Sequence, residues 1–306
     1  MMNNGRLLIL VGISGSGKST FAHSLWKDAP NNTTIVNRDK IRELLFGYTE
    51  QGISDYYTRN DISTQEKKVT RYEDTLINEA LRKGNLVIVD ATHLSRKYIE
   101  RFKYWNVPTE VKFFDISIGQ AVFRDDQRNR KVGTHIIGKQ HAKYVSLINS
   151  LDKNPIDFTP FELDNDDDPE VGRQHCVVVD IDGTLAEKGD RSPYDWQNVH
   201  RDRVIKPIEA LVQDISEKTK IIIATGRDGE CLALTEMWLE LHDIPYDEIY
   251  IRERGDMRAD WIVKREMAEK ICKNHYISCW IDDRLQVTRY LRNIGIKVLN
   301  VEYNNF

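Results

Sequence analysis

Gly12-Ile13-Ser14-Gly15-Ser16-Gly17-Lys18-Ser19 fits G-x-x-x-x-G-K-[ST], directly after an apolar run and before a helical pattern. Glycines at these positions let backbone N–H groups turn inward around phosphate oxygens. The following helix N-terminus adds partial positive charge, Lys18 adds a full one, and the Ser19 hydroxyl is a ligand for Mg²⁺. Gly12, Gly15, Ser16, Gly17, Lys18, Ser19 and Thr20 are therefore the expected cradle for a nucleoside triphosphate, with ATP and Mg²⁺ as cofactors. Downstream lies Asn37-Arg38-Asp39-Lys40-Ile41-Arg42. A carboxylate such as Asp39 at a strand end suits acceptance of a proton from an attacking hydroxyl. Arg42 is three residues on, on the same helical face, and an Asp–Arg surface pair is the plain alternative. Arg124 and Arg128, one turn apart in Arg-Asp-Asp-Gln-Arg-Asn-Arg-Lys, are candidates to clamp the β- and γ-phosphates, with Arg130 a third.

A second constellation begins at Cys176-Val177-Val178-Val179-Asp180-Ile181-Asp182-Gly183-Thr184, a buried-type strand ending in D-x-D-G-T. Asp180 is placed to attack phosphorus and form an acyl phosphate. Asp182, two residues on, projects to the same side of an extended chain and suits proton transfer to the leaving alkoxide. So much negative charge beside a phosphate calls for Mg²⁺. Further pieces follow in order: Ala224-Thr225-Gly226-Arg227 at a strand end, Asp260 and Lys264 four residues apart on one helix face, and Ile281-Asp282-Asp283-Arg284 at another strand end.

The elements that must position these groups alternate. Strand-type runs are expected at 7–11, 34–37, 86–90 and 111–116, with helices at 19–27, 39–46, 62–82, 96–105, 120–130 and 135–151. In the second half, strands are expected at 176–180, 220–224, 248–251, 278–281 and 297–301. Helices are expected there at 207–217, 229–241, 261–272 and 285–293. Strand–helix alternation predicts α/β architecture with two parallel sheets and sites at the strands' C-terminal ends. The acidic Asp164–Glu170 stretch, after Asn154-Pro155 and Thr159-Pro160, marks a boundary. The expected division is 1–160, an acidic linker 161–173, and 174–306.

The chain has 306 residues, which suits two domains, and 40% hydrophobic content is enough for two cores. Residues 1–163 carry 24 basic and 19 acidic side chains, a net of +5; residues 164–170 carry five acids; residues 171–306 carry 20 basic and 24 acidic, a net of -4. The total of -4 excludes a generally polybasic nucleic-acid binder and makes the first half the better holder of a polyanion. No apolar run reaches membrane-span length, and Leu7–Val11 is too short for a signal-peptide core. Cys176, Cys231, Cys272 and Cys279 form no C-x-x-C pair, so reduced thiols are expected.

The D-I-D-G-T, A-T-G-R, Lys264 and D-D-R fragments resemble haloacid dehalogenase (HAD) phosphohydrolases. G-I-S-G-S-G-K-S-T, N-R-D-K-I-R and the Arg124–Arg130 segment resemble the kinase half of the T-even phage-type polynucleotide kinase-phosphatases. Arg191–Asp195, Arg252–Asp256 and Ile281–Val287 are similar to the phosphatase half of that family, and the order of halves agrees. The resemblance implies a P-loop 5′-kinase domain followed by a HAD-like, Rossmannoid 3′-phosphatase domain. In that reading Asp39 is the general base, Arg42 contacts the acceptor's phosphate backbone, and Arg128 or Arg130 is the transition-state clamp. Asp180 is the nucleophile and Asp182 the acid/base. Asp180, Asp283 and Asp182, the last through its backbone carbonyl, hold Mg²⁺. Arg191, Thr225, Gly226, Arg227, Asp260 and Lys264 line a 3′-phosphate pocket.

The expected function is end healing: phosphorylation of 5′-hydroxyl ends of RNA or DNA and removal of 3′-phosphates. No Lys-centred ligase motif is present, so a separate ligase is expected to seal. The resemblance also implies a homotetramer, a cytoplasmic protein without membrane attachment, and a phage source acting in the infected cell. A small-molecule kinase fused to a nucleotidase is the alternative, and a non-catalytic end-binding module a third. Tyr48, Tyr56 and Tyr57 are candidates for base stacking, with ordinary packing the commoner role.

Overall fold

The computed structural model describes residues 5–47, 61–128, 131–167 and 172–301. Tyr48, Tyr56, Tyr57 and Arg130 lie outside the described residues. The chain divides into two units, 1–160 and 161–306, and each is an α/β unit on a parallel sheet.

In the first unit β1 (Arg6–Gly12) leads through the loop to α1 (Lys18–Asp28), then β2 (Thr33–Asn37), α2 (Arg38–Phe46), α3 (Ile62–Arg82) and β3 (Leu86–Asp90). A short α4 (Arg96–Glu100) continues as a 3₁₀ turn, Arg101–Trp105, before β4 (Thr109–Phe114), α5 (Ile118–Asp126) and α6 (Thr134–Lys153). Strand order is β2-β3-β1-β4, all parallel. Leu7, Leu8, Ile9, Leu10 and Val11 of β1 are all buried, as a central parallel strand covered on both faces requires. Val69, Glu73 and Ile77 of α3 are buried at four-residue spacing, so a carboxylate stands in the inward stripe. Glu73 accepts hydrogen bonds from Arg38 and Arg101, which neutralise it. The single expected helix over 96–105 is split into α4 and its 3₁₀ turn. Asn106 closes that turn at φ 50°. The helix expected over 120–130 starts two residues earlier and ends at Asp126. There Asp125 turns its carboxylate to accept the Val132 and Gly133 amides.

In the second unit β5 (Gln174–Val179) is followed by a two-stranded ribbon of β6 (Ala186–Glu187) and β7 (Arg203–Val204), which pair antiparallel. Next come α7 (Lys206–Ser216), β8 (Lys220–Asp228), α8 (Leu232–Leu241), β9 (Glu248–Arg252), α9 (Asp260–Ile271), β10 (His275–Asp282), α10 (Leu285–Asn293) and β11 (Val298–Asn300). Strand order is β11-β10-β5-β8-β9, all parallel. Val177, Val179, Ile221, Ile223, Trp238 and Ile281 form one core cluster. Part of the acidic stretch packs on this unit: Asn165 accepts the Ile277 amide and donates to the Ile277 carbonyl. All four cysteines are free thiols. Among the described residues no helix is long and apolar enough to cross a membrane.

His93 is buried in the first unit, and its Nδ1–H donates to the Leu10 carbonyl at 2.8 Å. Its Nε2 is buried without a partner. Burial lowers its pKa from 6.5 to about 4, against the pull of the Leu10 carbonyl. Between those values the unfolded chain binds a proton that the folded imidazole refuses. Stability of this unit therefore falls as pH drops from about 6.5 toward 4. Urea unfolding of the first unit across that range should show the decline. His93→Asn, which keeps a donor and tolerates the local φ of 48°, should remove the imidazole's share of it.

Candidate active sites

In the first unit β1 lies between β3 and β4, so the loop after Gly12 opens beside the ends of both neighbours. Gly15 and Gly17 adopt φ of 83° and 94°, where a side chain is strained. A Cβ on Gly15 would meet the Ala121 carbonyl at 2.7 Å, and one on Gly12 the Ser16 hydroxyl at 2.8 Å. The loop is thus packed tightly as well as turned. Lys18 is buried and donates to the Ile13 carbonyl at 2.7 Å and the Ser16 hydroxyl at 3.2 Å. Burial lowers its pKa to about 8; Asp90 opposes that fall and Arg128 adds to it. Ser19 and Thr20 are exposed at the start of α1. A cleft of about 550 Å³ is lined by Gly15, Gly17, Thr20, Phe21, Arg124 and Arg128, so both expected clamp arginines face the loop. Arg124 also donates to the Gly15 carbonyl at 3.3 Å.

Asp39 sits in the first turn of α2, capped by the Asn37 side chain, which accepts the Lys40 amide. The Asn37 amide donates to Asp90 at 3.0 Å. Asp90 ends β3, the strand between β1 and β2, and is buried. It stands where a P-loop site places its second Mg²⁺-side carboxylate. Its signal in the sequence is an acid closing the apolar run Leu86–Val89, with no motif around it. Two strand spacings, about 10 Å, separate the ends of β1 and β2, room for a terminal phosphate between Lys18 and Asp39.

Arg42, expected either to contact the acceptor's phosphate backbone or to pair with Asp39, makes the Asp39 pair. Its guanidinium is bidentate on Glu66 at 2.8 and 3.0 Å and also holds Asp39 at 2.7 Å. Glu66 lies 24 residues away on α3, outside any motif. Arg42 is thus part of an ion-pair network with Arg38, Glu66 and Glu73, and orients Asp39.

In the second unit Asp180 follows β5, flanked by the ends of β10 and β8. Asp180, Asp282 and Asp283 bring carboxylate oxygens within 4.8 Å of one another, all buried. Lys264, fully buried on α9, sits 2.9 Å from Asp180 and 2.7 Å from Asp282. Burial works against its charge, but Asp180, Asp282 and Asp260 outweigh it and raise its pKa. Lys264 is thus anchored in the carboxylate cluster rather than extended as a free phosphate ligand. Burial raises the Asp180 pKa well above the usual range; Asp282, Asp283 and Asp260 add to this and Lys264 opposes it. Asp283 is pushed to about 6 by burial and by Asp282. Asp283 Oδ1 is buried without a partner. An orphaned oxygen in a crowded set of hard donors fits a divalent cation such as Mg²⁺. Asp282 joins this cluster, whereas the side chain of Asp182 does not.

Asp182 turns to two arginines instead. Arg227 Nε and Nη2 grip both of its oxygens at 2.9 Å, and Arg191 reaches it at 3.1 Å. Both guanidiniums also reach Asp202, Arg191 at 2.7 and 2.6 Å and Arg227 at 2.7 Å. Arg227, expected to line a 3′-phosphate pocket, is 0% exposed and grips Asp182. Thr225 is buried, its hydroxyl accepting the Arg227 amide. Gly226 leaves room for Asp260, whose Oδ1 would lie 2.4 Å from a Cβ there. Asp260 is held by Arg252 and Arg284.

Residues 174–306 match the family model described as the polynucleotide kinase PNKP phosphatase domain, and residues 7–147 match the AAA domain model. The two matches fall one on each unit. A protein of Autographa californica nuclear polyhedrosis virus, whose name proposes a bifunctional polynucleotide kinase/RNA ligase, is 28% identical over 97% of this chain. The chain spans 42% of that relative's length. A solved Pnkp1/Rnl/Hen1 RNA repair complex contains a chain 26% identical, matched over 99% of this chain and 97% of that one, with a TM-score of 0.46. A gluconokinase from Sinorhizobium meliloti matches 47% of this chain and 76% of its own at 17% identity and a TM-score of 0.31.

In the second unit the cluster of Asp180, Asp282 and Asp283 is a testable cation site. Mg²⁺ should raise the thermal midpoint of this unit, with about 2.7 kcal/mol of stabilisation at a hundred times its Kd. Calorimetry with and without Mg²⁺ should show the shift in the wild type and its loss in Asp283→Ala.

Proposed function

We propose that this chain is a bifunctional end-healing enzyme. It transfers the γ-phosphate of ATP to 5′-hydroxyl ends of RNA or DNA and hydrolyses 3′-phosphate ends. The observation that carries this reading is the placement of Asp180 among Lys264, Asp282 and Asp283, with Asp182 gripped separately, in a domain of the PNKP phosphatase type.

In the kinase reaction the loop amides and Lys18 hold the transferred phosphate while Arg124 and Arg128 balance its equatorial charge. Asp39, steadied by Arg42, takes the proton of the 5′-hydroxyl. In the phosphatase reaction an Asp180 oxygen attacks the 3′-phosphorus and the ribose oxygen leaves with a proton from Asp182. Asp182 then takes a proton from the water that opens the aspartyl phosphate. Asp180, Asp282 and Asp283 would hold Mg²⁺, which would offset the negative charge of the carboxylates and the phosphate, and in the kinase Ser19 and Asp90 would hold it. The net +5 of residues 1–163 supports a polyanionic acceptor. The products are ends that a separate ligase joins. A homotetramer in the cytoplasm, of an infected host if the source is a phage, completes the reading.

Paired variants test it. Lys18→Ala should lower 5′-phosphorylation by orders of magnitude and spare 3′-phosphate release. Asp180→Asn removes the charged nucleophile and should do the reverse. Loss of both activities in either folded variant would contradict two independent sites.

A further inference from the structure

Asp202 belongs to no motif, precedes β7, and is buried. Its carboxylate takes Arg191 in bidentate fashion, Nε at 2.7 Å and Nη2 at 2.6 Å, and Arg227 Nη2 at 2.7 Å. Those two guanidiniums are the ones that hold Asp182. Arg227 Nη2 is shared, 2.9 Å from Asp182 Oδ1 and 2.7 Å from Asp202 Oδ2. Two cations and two anions therefore close a charge-balanced square with Asp182 at its wetter corner: the Asp182 side chain is 34% exposed and that of Asp202 only 2%.

The backbone anchors this square. The Asp202 carbonyl accepts the indole N–H of buried Trp238 at 2.8 Å. Ala186 pairs with Val204 in the small ribbon and bridges to Asp182, so the main chain links both acids through a few residues. Arg227 also leans on Thr235 and lies over the Trp238 ring. The side-chain anchors, Trp238 and Thr235, are on the Asp202 and Arg227 side, while the Asp182 side chain is the more exposed end.

We infer that Asp202 is a positioning residue for 3′-phosphate hydrolysis: through Arg191 and Arg227 it sets the direction in which Asp182 gives and takes its proton. The Asp202 side chain is buried, so its action runs through the two arginines. The inference rests on the phosphatase reading of this domain. A ribose alkoxide is a poor leaving group and depends on an aimed acid, whereas nitrophenolate leaves without one. The hydrolytic water depends on Asp182 for both substrates.

The test compares two substrates on wild type and Asp202→Asn, a 3′-phosphorylated oligonucleotide and p-nitrophenyl phosphate, in single-turnover and steady-state modes. Asp202→Asn should lower single-turnover oligonucleotide hydrolysis about a hundred-fold, the scale of a misaimed group, with KM nearly unchanged. The nitrophenolate burst should keep close to the wild-type rate while its steady state falls, so that phosphoenzyme accumulates. Equal losses in the burst and in oligonucleotide turnover, or a loss confined to KM, would overturn the inference in favour of a structural or phosphate-binding role. If Asp202→Asn does not fold, Asp202→Glu, which keeps the charge but displaces it by one methylene, must give the same pattern. A wild-type burst without any oligonucleotide hydrolysis would instead contradict the polynucleotide reading and leave the leaving-group comparison to be read on other phosphomonoesters.

Discussion

Lys264 places one ammonium 2.9 Å from Asp180 and 2.7 Å from Asp282 in a fully buried setting, and the carboxylate cluster of the second unit depends on that contact. Asp180, Asp282, Asp283 and Asp260 are all buried, and burying carboxylates together is unfavourable unless positive charge is built in with them. Lys264 and the partly exposed Arg284 supply some of it. The remaining negative charge and the orphaned Asp283 oxygen explain why a cation fits there. The same constraint separates the two acids. Asp180 is held among acids and a lysine. Asp182, two residues on, stays out of that cluster and is held by Arg191 and Arg227.

The first unit meets a related constraint by a different route. Its cation, Lys18, is folded onto its own loop, and its anionic groups sit at the ends of other strands. Asn37 connects them, capping the helix of Asp39 on one side and binding Asp90 on the other. The glycines matter because α5 packs against the loop: the Ala121 carbonyl occupies the space that a Gly15 side chain would need. The loop's shape and the approach of Arg124 therefore arise from one packing contact.

The parts legible in the sequence were those with local causes. α3 and α10 begin and end where apolar spacing placed them, because one face of each packs on a sheet. The loop at Gly12–Ser19 and the strand ending at Asp180 are set by neighbours in the chain. Arg42 and Arg227 were legible as basic groups near phosphate chemistry, and Asp39 as a partner for Arg42, yet their distant partners were not. Glu66 and Asp202 lie 24 and 25 residues from them and carry no pattern of their own. The ribbon of β6 and β7 has two residues per strand, too short for alternation to show. Side-chain pairing across such distances is decided by tertiary packing.

The most direct test of two healing activities in one chain uses one oligonucleotide bearing a 5′-hydroxyl and a 3′-phosphate. It is incubated with Mg²⁺ and ATP labelled in the γ-phosphate, and both ends are mapped by mass spectrometry. The predicted product carries the label at its 5′ end and a hydroxyl at its 3′ end. An oligonucleotide unchanged at both ends, with label passed instead to free nucleosides or small metabolites, would contradict the account.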